Sequence, residues 1–95
     1  MKAEGVDGTD GVSFSGVVEY YYATLADNKD GYPTKTEDGK QVVDLSKWYD
    51  TIEDTKFGTK ATDGKTYKYL WNVEGVQSID ANGTSHTDYT NPELL

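Results

Sequence analysis

The alternating stretch at residues 66–76 places the tightest limit on how this chain can fold. Its odd-numbered positions carry large side chains, namely Tyr67, Tyr69, Trp71 and Val73. A period of two with one large face is typical of a half-buried β-strand, and aromatic and β-branched side chains pack well on a pleated surface. The stretch therefore predicts a central strand. Leu70 on the opposite face predicts that both faces are partly covered.

The composition decides whether the chain has enough apolar side chains to form a core against such a strand. Leu, Ile, Val and Phe together number 17 of 95 residues and the net charge is -8, which lies on the disordered side of the usual boundary. Eight Tyr and two Trp residues shift the balance towards order, since each aromatic ring buries about 150 to 250 Å². We therefore expect one small ordered domain with an aromatic core that includes Trp48 and Trp71.

The charge balance argues against several classes of partner. The chain has 17 acidic residues against nine lysines and lacks arginine, so it is poorly suited to neutralising nucleic-acid phosphates or an anionic membrane surface. The absence of cysteine removes disulfides and thiolate metal sites. The sequence shows neither the apolar run of a signal peptide nor a membrane span. We expect another part of a longer protein to direct any export.

Glycine spacing and strand patterns divide the chain into three predicted parts. Residues 1–16 contain Gly5, Gly8 and Gly11 at every third position and predict a flexible Gly/Asp-rich linker, with the end of a longer triplet array as the alternative. Residues 17–92 form the predicted β module. Residues 93–95 are a predicted tail without a pattern.

Within the module, the sequence predicts strands at residues 17–25, 41–45 and 84–90 in addition to the central one. Asp38-Gly39 predicts a turn, and Asn82-Gly83 predicts a hairpin turn with both residues at positive φ. Ser46 is a candidate N-cap for a short helical turn. The following pair Thr51 and Ile52 favours extended backbone instead.

The loop after the first strand contains a candidate calcium site. Asn28, Asp30, Gly31 and Glu37 occupy positions 3, 5, 6 and 12 of an EF-hand loop template. Ala26 stands at the first ligand position and flanking helices are missing, so the pattern disfavours an EF-hand. Asn28, Asp30 and Glu37 are the candidate ligands of a surface site, and the alternative is a solvated acidic loop.

The remaining polar residues do not assemble a catalytic motif. His86 is the single histidine, and its place near Asp88 indicates an exposed strand residue more than part of a nucleophilic triad. The glycines do not form a phosphate loop or dinucleotide fingerprint. We therefore predict no enzyme activity, no catalytic residue and no cofactor. Asn82-Gly83-Thr84 matches a glycosylation sequon, and we interpret it as the hairpin turn.

Exposed tyrosines are the best candidates for binding. Alternation forces at least one of Tyr20, Tyr21 and Tyr22 to point away from the interior. Together with Tyr32 and Tyr49, these residues are candidate platforms for stacking sugars. The same rings are also needed to build a core in a domain poor in Leu and Ile.

A series of short motifs follows one another along the chain. In order they are Gly8-Thr9-Asp10-Gly11-Val12-Ser13, Glu19-Tyr20-Tyr21-Tyr22-Ala23-Thr24, Trp48 ahead of Thr51-Ile52, Lys68-Tyr69-Leu70-Trp71-Asn72-Val73-Glu74, Gly83-Thr84 and Thr90-Asn91-Pro92. This order resembles the small repeat modules of bacteriophage and prophage tail-fibre and minor structural proteins. Residues 31–40 and 53–66 are longer than the pattern, so loop-borne functions are not carried over. Residues 66–84 are also similar to the final hairpin of fibronectin type III-like sandwiches.

These resemblances imply a fold and a function. The fold is an antiparallel β-sandwich of the immunoglobulin or fibronectin type III-like class, with about six to seven strands. The function is a non-catalytic structural or adhesion module of a phage-like or cell-surface fibre, extracellular or virion-associated. Adjacent modules and a host surface glycan or protein are the implied partners, and the isolated module is expected to be a monomer. The alternative function is a carbohydrate-binding module, and a small hydrolase is the third.

Overall fold

Residues 13–95 are described by the structure, a computed structural model, and they consist of strands, turns and two short 3-10 helices. The strands are β1 (Ser13–Leu25), β2 (Thr34–Glu37), β3 (Lys40–Val43), β4 (Tyr67–Ile79), β5 (Ser85–Tyr89) and β6 (Glu93–Leu94), and the 3-10 helices are η1 (Leu45–Lys47) and η2 (Glu53–Thr55). One sheet has the order β1-β4-β5, with β6 also paired to β4, and β2 and β3 form the other. The prediction of an all-β chain with antiparallel sheets is confirmed.

The chain divides into two compact units. Of the described residues, one unit comprises 13–18 and Glu74–Asn91, and the other comprises Glu19–Val73 and Pro92–Leu95. Below, the first is called the hairpin unit and the second the aromatic unit. Within the described residues no helix has the length and apolar character that a membrane crossing requires.

The first strand begins earlier than the sequence predicted. Residues 1–12 of the predicted linker lie outside the described residues, whereas residues 13–16 belong to β1. Gly16 is the last residue of the predicted linker. It lies inside β1, and a Cβ built on it would meet the side-chain oxygen of Gln77 on β4 at 3.3 Å. Pairing with a neighbouring strand therefore outweighs the local preference of one glycine.

The core of the aromatic unit is built on β4, as the alternating pattern predicted. Trp48, Trp71 and Val73 form the buried cluster, with relative exposures of 7%, 8% and 1%. The partly buried residues that pack against this cluster are Tyr20, Tyr22, Tyr32, Val43, Leu45 and Tyr69. Leu70 on the other face of β4 is also buried, at 7%. The expectation that both faces of this strand are covered is therefore confirmed.

The strands β2 and β3 form a tight hairpin, of which the sequence revealed only the turn and the second strand. Asp38 and Gly39 both have positive φ, 51° and 77°, as a two-residue type I′ loop requires. Thr34 pairs with Val43 and Glu37 with Lys40 across the hairpin. β2 is polar and exposed along its length. It therefore lacks the alternation by which a strand is recognised.

The segment after β3 is more helical than the sequence indicated. The cap of η1 is Asp44 rather than Ser46, and its carboxylate accepts hydrogen bonds from the Ser46 backbone N–H and hydroxyl. Thr51 and Ile52, which were expected to be extended, lie in the bend and turn that lead into η2. The Thr55 hydroxyl donates to the Ile52 carbonyl at 2.6 Å. Such local side-chain bonds compete successfully with strand formation.

In the hairpin unit, β4 and β5 are joined by a turn that differs from the expected type. Gly83 has a φ of 81°, whereas Asn82 is not among the positive-φ residues of the described chain. The Asp80 N–H donates to the Thr84 carbonyl and the Gly83 N–H donates to the Asp80 carbonyl, both at 2.9 Å. This is a three-residue loop with one left-handed glycine. The prediction of two positive-φ residues is therefore wrong, while the turn itself is confirmed.

The predicted tail contains a strand. Glu93 and Leu94 form β6, which pairs with Asn72 and Trp71 of β4. The N–H of Leu95 donates to the Leu70 carbonyl at 2.9 Å. Pro92 cannot donate to a ladder, but the residues after it can. Two of the three residues of the predicted tail therefore belong to a strand, although the sequence there has no pattern that indicates one.

Gly75 marks a close approach between side chains in the hairpin unit. A Cβ built on Gly75 would lie 2.8 Å from a ring carbon of Tyr89, 2.9 Å from a methyl of Val18 and 3.0 Å from a methyl of Thr87. Tyr89 is the direct cross-strand partner of Gly75. The aromatic ring thus covers the backbone where the strand itself has no side chain.

We expect Gly75→Ala to destabilise the hairpin unit by about 1 to 3 kcal/mol, because overpacking of this order follows when an added methyl has no room. Hydrogen exchange at the amides of β4 and β5, together with urea denaturation followed by circular dichroism, measures the loss. Ser78→Ala on the same strand is the control and should change stability little. Equal exchange rates in the wild type and Gly75→Ala would contradict the contact.

Candidate functional site

Five aromatic rings in the aromatic unit form a connected cluster that includes both tryptophans. The ring centroid of Tyr32 lies 5.8 Å from that of Trp48 and 5.1 Å from that of Trp71, edge-on in both cases. Tyr22 lies 5.7 Å from Trp48 with an interplanar angle of 42°. Edge-to-face and tilted pairs at these distances are favourable. Tyr32 therefore links the two indoles.

Local backbone structure brings these rings together. Trp48 directly follows η1, and its N–H donates to the Leu45 carbonyl at 3.1 Å. Tyr49 then pairs with Tyr21 in an antiparallel bridge, with N–H to carbonyl distances of 2.7 and 2.9 Å. Side chains of neighbouring residues in an extended segment point to opposite faces. Trp48 consequently enters the core while Tyr49 remains 42% exposed.

The two buried indoles differ in their hydrogen bonding. The Nε1–H of Trp71 donates to the Lys29 carbonyl at 2.9 Å and to the Thr24 hydroxyl at 3.2 Å. The Thr24 hydroxyl in turn donates to the same carbonyl at 2.6 Å. The Nε1 atom of Trp48 is buried and has no acceptor within the described part of the chain. Trp71 therefore anchors the loop after β1, whereas Trp48 contributes through packing.

The structure separates the five candidate stacking tyrosines. Tyr20, Tyr22 and Tyr32 are half-buried and pack against the core cluster. Tyr21 is half-buried in the backbone bridge. Tyr49 is the most exposed of the five, and its ring is nearly parallel to that of Tyr22, with centroids 6.2 Å apart and an interplanar angle of 15°. The geometry thus brings Tyr49 and Tyr22 together as an aromatic pair with one accessible member.

The environment of Tyr22 alters its acidity. Burial raises the pKa of the Tyr22 phenol above its ordinary value, and the nearby phenols of Tyr49 and Tyr67 raise it further. Burial disfavours the charged phenolate, and like charges close by add to that penalty. Tyr22 therefore stays protonated to a higher pH in the folded chain than it does in the unfolded chain.

Two of the candidate calcium ligands have other contacts in the structure. Glu37 lies at the end of β2, where its carboxylate is 3.2 Å from the Lys35 ammonium, and Asn28 packs its amide over Gly31 in the preceding turn. Among residues 13–95, no three Asp, Glu or His side chains converge as a metal site would require. The neighbouring Asp27 instead forms an ion pair with Lys65 at 2.5 Å. A hydrogen bond from Lys65 holds the pKa of the Asp27 carboxyl below its ordinary value.

His86 has a partner that the sequence did not indicate. Its Nε2 lies 2.7 Å from Oδ2 of Asp80, at the other end of the turn, while Asp88, the neighbour expected from the sequence, faces Val76 across the ladder. The hydrogen bond with His86 and those from the Thr84 and Asn82 N–H groups hold the pKa of the Asp80 carboxyl below its ordinary value. An Asp at the first position of a Gly-containing turn is the signal that could have indicated this role.

Comparison with known proteins supplies no relative. No family model matches the chain, and neither a curated protein nor a solved structure matches it. The chemistry of the site therefore has to be inferred from the residues of this chain, and the resemblance to fibre modules stays a prediction.

We expect Trp71→Phe to destabilise the aromatic unit more than Trp48→Phe, by about 1 kcal/mol, the net value of a typical buried hydrogen bond. Both indoles are buried to the same degree, so the loss of ring area is similar. Only the first substitution removes bonds to Lys29 and Thr24. Urea denaturation followed by the fluorescence of the remaining tryptophan gives the comparison. An equal loss of unfolding free energy in the two variants, or a larger loss for Trp48→Phe, would contradict a stabilising role of the Trp71 hydrogen bonds.

The raised pKa of Tyr22 predicts a loss of stability in alkaline solution. The pKa of Tyr22 in the folded chain exceeds the unfolded value of about 10. The contribution of the protonated phenol to the free energy of unfolding is therefore fully present below about pH 10, and it declines as the pH rises through the folded pKa. Tyr22→Phe should flatten this decline in urea denaturation midpoints measured from neutral to alkaline pH. Tyr69→Phe leaves Tyr22 intact and serves as the control. An unchanged alkaline decline in Tyr22→Phe would refute the prediction.

Proposed function

We propose that this chain is a non-catalytic structural or adhesion module of a phage-like or cell-surface fibre protein, acting as a spacer or interaction domain. The observation that carries the proposal is the use of aromatic rings in packing. Trp48 and Trp71 are buried and joined through Tyr32, and Tyr22 packs against the same cluster. A module whose aromatic residues hold its core together is suited to a mechanical task. The order of sequence motifs adds support for the fibre assignment.

The proposed setting is an extracellular or virion-associated particle, in which adjacent modules of the same longer protein are the partners. The net charge of -8 supports this setting, because like-charged modules remain soluble and resist unspecific association. A host surface glycan or protein is the proposed target if the module takes part in adhesion.

The architecture we propose for the module is an immunoglobulin- or fibronectin type III-like β-sandwich. Support comes from the aromatic unit, where Val43 of β3 packs against the cluster that contains Trp71 and Val73 of β4. Side chains from two different sheets thus share one core, which is the basic arrangement of a sandwich. The fold alone does not specify the function.

Polar residues with potential chemistry are engaged in ways that favour a non-catalytic role. Asp80 binds His86 and two backbone N–H groups of its own turn. Asp27 is paired with Lys65 in a surface ion pair. Each of these groups has a structural task in a turn or loop.

Carbohydrate binding is the second candidate, and one observation favours it. The ring of Tyr49 is 42% exposed and lies nearly parallel to the ring of Tyr22 beneath it. A ring supported in this way loses little side-chain entropy when a sugar stacks on it. The platform consists of one accessible ring, which is large enough to stack against one face of a single sugar residue.

The proposed function predicts an isolated chain that is monomeric, and its spacer role predicts that this chain has no glycan affinity of its own. Size-exclusion chromatography with light scattering measures the first property, and a glycan array measures the second with wild type and Tyr49→Ala side by side. Tyr89→Ala, an aromatic substitution in the hairpin unit, is the matched control. Array binding that is lost in Tyr49→Ala and kept in Tyr89→Ala would replace the spacer function with the carbohydrate-binding one. An obligate trimer would contradict the expected monomer.

A further inference from the structure

The turn between β4 and β5 presents a chemically labile dipeptide. Asparagine occurs at residues 28, 72, 82 and 91, and only Asn82 is followed by glycine. Asn82 is exposed. A Cβ built on Gly83 would have nothing within 4 Å, so the space beside the Gly83 backbone is open. Exposed loop tips with small residues are where covalent change is best accommodated.

We propose that Asn82 is a site of spontaneous deamidation and isomerisation whose rate is restrained by Asp80. The Gly83 backbone nitrogen loses its proton and attacks the side-chain carbonyl carbon of Asn82, forming a C–N bond. The bond from that carbon to the side-chain nitrogen breaks, and ammonia leaves with the proton. Water then opens the cyclic imide at either carbonyl. The product is aspartate or isoaspartate at residue 82.

The folded turn opposes the first step, because the attacking nitrogen is already engaged. The Gly83 N–H donates to the Asp80 carbonyl at 2.9 Å. Oδ1 of Asp80 accepts hydrogen bonds from the N–H groups of Asn82 and Thr84, at 2.9 and 3.0 Å. Oδ2 is held by His86 at 2.7 Å. Cyclisation therefore requires the turn to open, and its rate follows the opening equilibrium.

The modification has a structural consequence for the hairpin unit. A carboxylate at residue 82 places a second negative charge beside Asp80, and isoaspartate also adds one carbon to the backbone of the loop. The first ladder pair next to the loop is Ile79 with Ser85. Register in a hairpin depends on loop length and turn geometry. The pairing of β4 with β5 should therefore weaken at the loop end first.

Incubation of the full chain in mildly alkaline buffer, followed by peptide mapping with mass spectrometry, tests the proposal. Retention time distinguishes aspartate from isoaspartate. We expect conversion at Asn82 to exceed that at Asn28 and Asn72 by about ten-fold, and to rise further in urea, where the turn is open. Asn91 is the internal negative control, because the following residue, Pro92, has no N–H and cannot attack the asparagine side chain.

Variants test the restraint separately from the site. Asp80→Ala should accelerate conversion of Asn82 by about ten-fold or more, because it removes two hydrogen bonds to backbone N–H groups of the turn and the one to His86, and losses of this size favour opening by at least that order. Asp63→Ala is the matched control, since Asp63 accepts the Lys65 N–H in a turn without asparagine. Circular dichroism verifies that both variants are folded. If Asp80→Ala is unfolded, His86→Ala replaces it and should accelerate the reaction in the same direction.

Two results would overturn the proposal. If Asn28 or Asn72 were converted as fast as Asn82, the proposal that Asn82 is a preferred deamidation site would be wrong. If Asn82 were converted at an unchanged rate in Asp80→Ala or His86→Ala, with the turn still folded, the proposal that Asp80 restrains the reaction would be wrong.

Discussion

The contact of Tyr32 with both Trp48 and Trp71 is the interaction on which the aromatic unit most depends. The chain has few aliphatic side chains, so rings supply the apolar area that a core of this size needs. Rings pack with preferred angles, and Tyr32 meets both indoles edge-on. One residue from a loop thereby fixes two residues that are distant in sequence. Such a core depends on geometry more than an aliphatic core does.

This dependence on rings limits what the same residues can do at the surface. A ring packed against Trp48 on one face, as Tyr22 is, has less area left for a ligand. The Tyr49 ring stays accessible. Tyr49 pairs with Tyr21 in a backbone bridge, and its side chain points to the opposite side of this segment from Trp48, which enters the core. Among the five candidate tyrosines, the spacer function and the carbohydrate-binding function therefore differ mainly in the role of the Tyr49 ring. The packing of the other tyrosines is common to both.

Sequence patterns predicted the features that local physics determines. The alternation at β4 identified the strand, its richer face and the burial of Trp71, and turn residues identified the hairpin loops. The exposed strand β2 has no alternation to detect, and β6 exists because Leu94 pairs with Trp71, a contact between residues far apart in sequence. The link between His86 and Asp80 depends on the shape of a loop. Of the candidate tyrosines, the sequence named the set, while long-range packing decided their exposure.

The acidic excess also takes part in building the fold. Asp44, Asp63 and Asp80 each accept a hydrogen bond from the backbone N–H two residues further along the chain, the arrangement by which aspartate mimics a backbone turn. Composition placed this chain near the disordered class because of its charge. Yet the carboxylates of these three aspartates lie at turns, where they accept hydrogen bonds from N–H groups that strands and helices leave unpaired. Acidic residues spaced at turns thus favour order, whereas the same number in one run would favour disorder. Position along the chain, more than net charge, decides which outcome an acidic sequence has.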